Sequence, residues 1–218
     1  MKFLFIEAKY NGKIDIPYEI IEKLPKTLYL FMTLQFIDSL EKIKKKIEKT
    51  GRKVLITKTK HTKYPGQIYG CNLEKFEGAD AFLYIGDGLF HPKALALGNN
   101  QEIHIWNPIN KEYKVIDKKI MEQEIKTQKI AYSKFLMSKK VGVLISTKPG
   151  QSYLKYALKV KEKYPDKEFY FIVMDTIDLN ALEDFNFIEC WLNTACPRLG
   201  WDDTKRTKKP LLDIGTVL

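Results

Sequence analysis

"FEGADAFLYIGDG", Phe76 to Gly88, and "LEDFNFIECWLNTAC", Leu182 to Cys196, lie about a hundred residues apart and follow one plan. In each, a polar lead gives way to an apolar run, which ends on small, turn-forming residues. A run without polar alternation suits a strand buried on both faces, as in the middle of a parallel sheet. The surroundings repeat too. Upstream of the first, "TLYLFMT" (Thr27–Thr33) reads as a buried strand after Pro25. Asp38 is placed to cap a helix whose Leu40, Ile43 and Ile47 fall at helical spacing and which Gly51 ends. "KVLITK" and "EIHIWNP" add further strands, the latter closing the set, and "DGLFHPKALALG" adds a loop and short helix. Upstream of the second, "KVGVLIST" is a strand, "KPGQ" a turn, "SYLKYALKVKEKY" a helix and "KEFYFIVM" a strand.

This order predicts an α/β protein of two duplicated, doubly wound domains with mostly parallel sheets. The domains span residues 25–117 and 118–218. The second opens with a long connecting helix, Lys118–Lys139, that has Ile120, Ile125 and Phe135 among its apolar positions. Residues 1–24 read as a remnant strand, "KFLFIEAKY", and a linker. That strand either joins an edge of the first sheet or waits for a partner chain.

The chain has 218 residues, 44% of them hydrophobic, an ordinary globular composition. No apolar run approaches the roughly 20 residues of a membrane helix, and the start lacks a signal-peptide pattern, so a cytoplasmic protein without membrane contact is expected. Net charge is +10, but Arg52, Arg198 and Arg206 are the only arginines, and the lysines alternate with glutamates on helix faces. Without arginine clusters or stacking platforms, nucleic-acid binding ranks last. "KRTKK" (Lys205–Lys209) is the one dense basic cluster and reads as a mobile tail.

Three cysteines make no secreted disulfide framework, and no Cys-x-x-Cys zinc pair is present. Cys71 lies in "YPGQIYGCN", where Pro65, Gly66 and Gly70 permit a sharp turn. It is either a small core residue or a functional thiol. Cys196 lies in "NTACPR", where Pro197 fixes the exit and Arg198 adds a cation that would favour a thiolate. Cys190, inside a strand, reads as packing. In parallel sheets ligands gather at strand carboxyl ends, and both Cys196 and the "GDG" turn (Gly86, Asp87, Gly88) sit just past such ends. His91 follows as a capping or hydrogen-bonding residue, and Lys148, Gly150 and Gln151 occupy a loop before a helix amino terminus, a generic anion site. No Walker A, Gly-x-Gly-x-x-Gly, Ser-His-Asp or Cys-x-x-x-Cys-x-x-Cys pattern occurs.

Together, "YPGQIYGCN", "FLYIGDGLFHP", "ISTKPGQ" and "NTACPR" resemble the diphthamide synthase family over nearly the whole chain. The resemblance implies three duplicated α/β domains, each giving one cysteine to a [4Fe–4S] cluster. It implies that S-adenosylmethionine binds the open iron and that reductive carbon–sulfur cleavage releases a 3-amino-3-carboxypropyl radical. That radical modifies a histidine of translation elongation factor 2. Cys71 and Cys196 would then be metal ligands. Gly86, Asp87, Gly88 and His91 would shape the pocket, with Lys148, Gly150, Gln151 and Arg198 near the methionine moiety. By the same resemblance the chain begins at the last strand of the family's first domain, so one ligand is missing. Either a homologous or complementary subunit supplies it, or Cys190 substitutes, or the chain is a non-catalytic accessory subunit without its own cluster.

Overall fold

The computed structural model describes residue 4, residues 6–116 and residues 118–218, apart from the side chains of residues 118–121 and 205. It divides into two compact units, Met1–Met121 and Glu122–Leu218. In the first, a short helix α1 (Tyr18–Ile21) precedes β1 (Thr27–Met32), a 3-10 turn (Leu34–Ser39) and α2 (Leu40–Glu48). Then come β2 (Lys53–Leu55), β3 (Ala81–Ile85), α3 (Phe90–Gly98), β4 (Glu102–Asn107) and β5 (Glu112–Ile116). The sheet order is β2-β1-β3-β4-β5. All pairings are parallel except β4–β5.

The second unit takes most of α4 (Lys118–Met137), then β6 (Lys140–Ser146), α5 (Leu154–Lys163) and β7 (Glu168–Met174). β8 (Cys190–Asn193), α6 (Leu199–Asp202) and β9 (Leu211–Asp213) complete it. Its order is β7-β6-β8-β9, all parallel. In both units the first strand lies between the second and third, and the fourth flanks the third. The duplicated plan is therefore one topology used twice, with β5 appended to the first copy.

The apolar runs are buried on both faces. Along β3, Leu83 and Ile85 join a core with Leu28, Leu30, Ile43 and Ile47, while Phe82 and Tyr84 join another with Phe31 and Leu95. In the second unit Val141, Val143 and Ile145 pack with Phe135, Ala157 and Val160, and Leu144 meets Leu182 and Trp191. Each such side chain contributes about 1.5–3 kcal/mol by leaving water. Gly142 is dictated by this packing, because a Cβ there would lie 2.1 Å from the Trp191 ring. On α4, Gln128, Ala131 and Phe135 form the buried stripe, Ile125 is half-buried, and the Ile120 side chain lies outside the described residues.

Four expectations are corrected. The N-terminal strand falls partly on residues 1–3 and 5, outside the described ones, and described residues 6–16 join no sheet. The edge beside β4 is already filled by β5, which the apolar-run criterion missed because Glu112 and Lys114 interrupt it. Residues 14–24 instead feed Ile14, Ile16, Ile20, Ile21 and Leu24 into the first core. Asp38 does not cap α2. It lies in the 3-10 turn and takes Lys9 at 2.7 Å. "KRTKK" is not a loose tail: Lys209 donates to the carbonyls of Phe185 and Asn186, and the unforeseen β9 follows. Of that cluster, the Lys205 side chain lies outside the described residues.

Candidate functional site

In the first unit, residues 66–68 run parallel to the end of β1. Met32 N–H donates to the Gly66 carbonyl (2.7 Å), and Ile68 N–H donates to that of Met32 (3.1 Å). The chain then continues past the carboxyl end of β1 to Cys71. Gly66 turns at φ +75°, and a Cβ there would strike Leu40 at 2.7 Å. Two buried amides fix this loop. Gln67 Oε1 accepts from the N–H groups of Lys63 (3.0 Å) and Tyr64 (3.1 Å). Asn72 Oδ1 accepts from Tyr69 N–H (2.8 Å), and its Nδ2 donates to the Lys60 carbonyl (2.8 Å). Cys71, between these anchors, is half-buried and stands outside any disulfide.

The turn after β3 meets that loop. Gly70 lies so close to Phe90, at the start of α3, that a Cβ would be 2.0 Å from its ring. Gly86 is equally confined, by the Tyr84 hydroxyl. Asp87 Oδ1 accepts from Asn107 Nδ2 at 3.0 Å, and Gly88 adopts φ +64°. His91 stacks on Tyr84 (centroids 6.0 Å apart), with Nδ1 3.4 Å from its hydroxyl. Burial raises the Tyr84 pKa, so its phenol stays protonated. The structure thus gathers Cys71, Gly86, Asp87, Gly88 and His91 at the carboxyl end of the first sheet.

In the second unit Cys196 lies just beyond β8. Asn193, fully buried, holds it: Nδ2 donates to the Cys196 carbonyl (2.8 Å) and to Asp213 Oδ2 (3.2 Å), while Oδ1 accepts from Ala195 N–H (3.0 Å). Thr194 donates both its N–H and its hydroxyl to the Leu144 carbonyl, at 3.0 and 2.8 Å. Asp213, at the end of β9, also accepts from Gly215 N–H. Burial pushes its carboxyl up to about 6, against these two hydrogen bonds. Arg198 is buried and pairs with Asp202 one turn along α6. Lys148, Gly150 and Gln151 form the turn after β6, with Gly150 at φ +78° and Gln151 N–H donating to the Lys148 carbonyl.

Asp213 and Gln128 escaped the sequence reading. Gln128 Nε2 donates to the carbonyl of Gly200, the residue whose backbone touches β9. The Asp-x-Gly step of "DIG" was the available sign for Asp213. The two loop cysteines are also less alike than their sequences suggest. Cys71 belongs to the connection between second and third strands, whereas Cys196 follows the third strand of its unit.

Cys190 behaves differently. It is fully buried among Phe135, Val141 and Leu192, and burial pushes its thiol up to about 12. It packs as the sequence suggests, and its place inside that core speaks against its replacing a missing ligand. Among the described residues, no three His, Cys, Asp or Glu side chains gather as a metal site, and no helix is long and apolar enough to cross a membrane.

The sequence matches the model of the diphthamide synthesis protein family over residues 1–216. It is 33% identical over 197 residues to 2-(3-amino-3-carboxypropyl)histidine synthase of Pyrococcus horikoshii, covering 88% of this chain and 56% of that protein. To the Methanocaldococcus jannaschii protein of the same name it is 36% identical over 186 residues, 79% of this chain and 54% of that protein. Subunit 1 of the Schizosaccharomyces pombe synthase is 30% identical, over 96% of this chain and half of that protein. The crystal structure of Dph2 from P. horikoshii with a 4Fe-4S cluster superposes with a TM-score of 0.77 at 30% identity, over 92% of this chain and 58% of that one. The chain therefore spans about half the length of the relatives it matches. Its half-exposed thiols, soft ligands on tightly turned loops, suit the iron of such a cluster. With a match along almost its whole length, this chain belongs to the diphthamide synthesis protein family.

Proposed function

We propose that this chain acts in the first step of diphthamide formation. In that step a 3-amino-3-carboxypropyl group passes from S-adenosylmethionine to a histidine of translation elongation factor 2. Cys71 and Cys196 serve as two thiolate ligands of a [4Fe–4S] cluster, and a homologous or complementary subunit gives the third. The observation carrying this reading is the sorting of the cysteines: two half-exposed at sheet carboxyl ends, one sealed in a core. When bound, the cluster supplies an open iron for the methionine amino and carboxylate groups and the electron that breaks the carbon–sulfur bond.

The chain's own residues would hold the thiols still and leave room around them. Gln67 and Asn72 fix the Cys71 loop, and Asn193 with Asp213 fixes that of Cys196. Gly86, Asp87, Gly88 and His91 would shape the pocket wall in the first unit. Lys148, Gly150, Gln151 and Arg198 would stand toward the methionine moiety in the second. Arg198 does so as a charge already balanced by Asp202.

A second reading, an accessory subunit without its own cluster, draws support from the count of accessible thiols, one short of the three that leave one iron open. Anaerobic reconstitution with iron and sulfide separates the two. Iron retained by the wild type and lost in both Cys71→Ala and Cys196→Ala, with a reduced EPR signal altered by S-adenosylmethionine, supports the first. Protein that stays iron-free alone and beside a full-length homologue overturns it in favour of the second.

A further inference from the structure

We infer that the second unit carries a phosphate-binding pocket between α4 and the start of β9, where Lys134, Lys208 and Lys209 receive a phosphoryl dianion, free or as a monoester. All strands of this sheet run parallel, so the start of β9 lies at the opposite end of the sheet from Cys196, which follows the end of β8. The inference is independent of the iron–sulfur reading.

The basic run "KRTKK" takes no part in the arrangement around the thiols. It passes through the 3-10 turn Thr204–Arg206 into β9, and its Thr207, Lys208 and Lys209 face Thr127, Ile130 and Lys134 of α4 across a cavity of about 170 Å³. Sites that enclose a whole drug-sized ligand measure about 300–1,000 Å³. This one suits a single small charged group. Ile130, Pro210 and Leu211 give it apolar walls, which strengthen the field of a charge beside them. Among the described residues no acidic side chain lines it. The lysines of α2 differ, being interleaved with Glu41 and Glu48, the latter paired with Lys44.

The three lysines meet a ligand from different states. Lys209 Nζ donates to the carbonyls of Phe185 (2.9 Å) and Asn186 (2.8 Å), which fixes the ammonium and leaves its third hydrogen for an incoming oxygen. Lys134 is exposed on the last turn of α4, and no ion pair engages it among the described residues. Lys208 pairs with Glu183 on the surface, where an ion pair contributes little and a better anion displaces it. Three ammonium groups against that one carboxylate leave two positive charges. A carboxylate ligand would balance one of them. A phosphoryl dianion balances both and offers its oxygens to all three donors. Lysine suits this task, since a compact ammonium meets a phosphate oxygen without the planar register that arginine needs.

Amide NMR of the full chain, titrated with inorganic phosphate near pH 7.5 at constant ionic strength, tests this. The expected result is saturable shifts confined to residues 127–134 and 204–211, with a dissociation constant of about 1 mM or tighter. Adenosine monophosphate should shift the same amides, because its phosphoryl group carries the same charge. Inorganic phosphate bound without the monoester would support the pocket and name the free ion as its ligand. Lys134→Met should weaken binding about fivefold or more, and Glu183→Gln, which releases Lys208, should tighten it. Lys159→Met removes an exposed lysine outside the lining and should change nothing. Binding should fade below about pH 6, where the phosphoryl group regains a proton. Shifts that never saturate, or that spread over α2 and α5, overturn the inference, as does equal weakening by Lys159→Met. So does binding of adenosine monophosphate without inorganic phosphate, since the nucleoside would then carry it. An RNA oligonucleotide that binds while neither small phosphate moves these amides refutes it likewise.

Discussion

Replacing Asn193 by alanine should unfasten the Cys196 loop, at a cost that can be worked out from its contacts. The wild-type amide donates to the Cys196 carbonyl and to Asp213 and accepts from Ala195 N–H, all within 3.2 Å and away from water. A typical hydrogen bond contributes about 1 kcal/mol net, and a buried partner left unsatisfied costs about 1–3 kcal/mol. Ala195 N–H loses the Asn193 acceptor, while the Cys196 carbonyl keeps Leu199 N–H and Asp213 keeps Gly215. The expected loss is about 3 kcal/mol, roughly 12–24 °C in the melting temperature of a unit of this size. Urea unfolding of the full chain, followed by the fluorescence of Trp191, measures it. Asn193→Asp is the informative companion. It retains the acceptor for Ala195 but sets a second carboxylate against Asp213, so it should be weaker near neutral pH than near pH 5, where one proton can be shared. An alanine variant within about 0.5 kcal/mol of wild type, with iron retention unchanged, would refute both the clamp and its proposed purpose.

Further outcomes are expected from the same structure. Burial raises the Asp213 pKa to about 6, so its protonated form favours the fold. That contribution is complete below about pH 4 and is lost as pH rises through 6, so Asp213→Asn should gain about 1–2 kcal/mol near pH 7.5 and nothing near pH 4, read by denaturation at both. Gly142→Ala forces a Cβ into the Trp191 ring and should destabilise the second unit by about 1–3 kcal/mol with the first unit's exchange protection unaltered. Cys190→Ala should cost about 1 kcal/mol in urea unfolding yet leave reconstituted iron at the wild-type level, whereas Cys71→Ala should lose iron with little change in stability.

The parallel core strands were legible because burial on both faces demands unbroken apolar runs, as in Ala81–Ile85 and Lys140–Ser146. Elements held by other means were not. β5 alternates charge with apolar residues at a sheet edge, and β9 is three residues after a basic run, too short to carry a pattern. The loop positions of Cys71 and Cys196 could be read from their glycine and proline neighbours. The side chains that fix those loops could not. Asn72, Asn193, Gln67 and Gln128 are buried amides, and composition does not separate a buried amide from a solvated one; only the carbonyls and N–H groups around it do.

That choice of anchor follows from the demands on the thiols. A ligand cysteine must remain reachable, so the packing that holds Cys190 rigid is denied to Cys71 and Cys196, and their order has to come from adjacent residues. A neutral amide fixes backbone on both its donor and acceptor sides without adding a further charge, and each unit uses one near its half-buried thiol: Asn72 after Cys71, Asn193 before Cys196. The two cysteines occupy different connections of the repeated fold, so this resemblance is not inherited from equivalent positions. It reflects one physical solution, applied twice, to keeping an accessible thiol in a defined place.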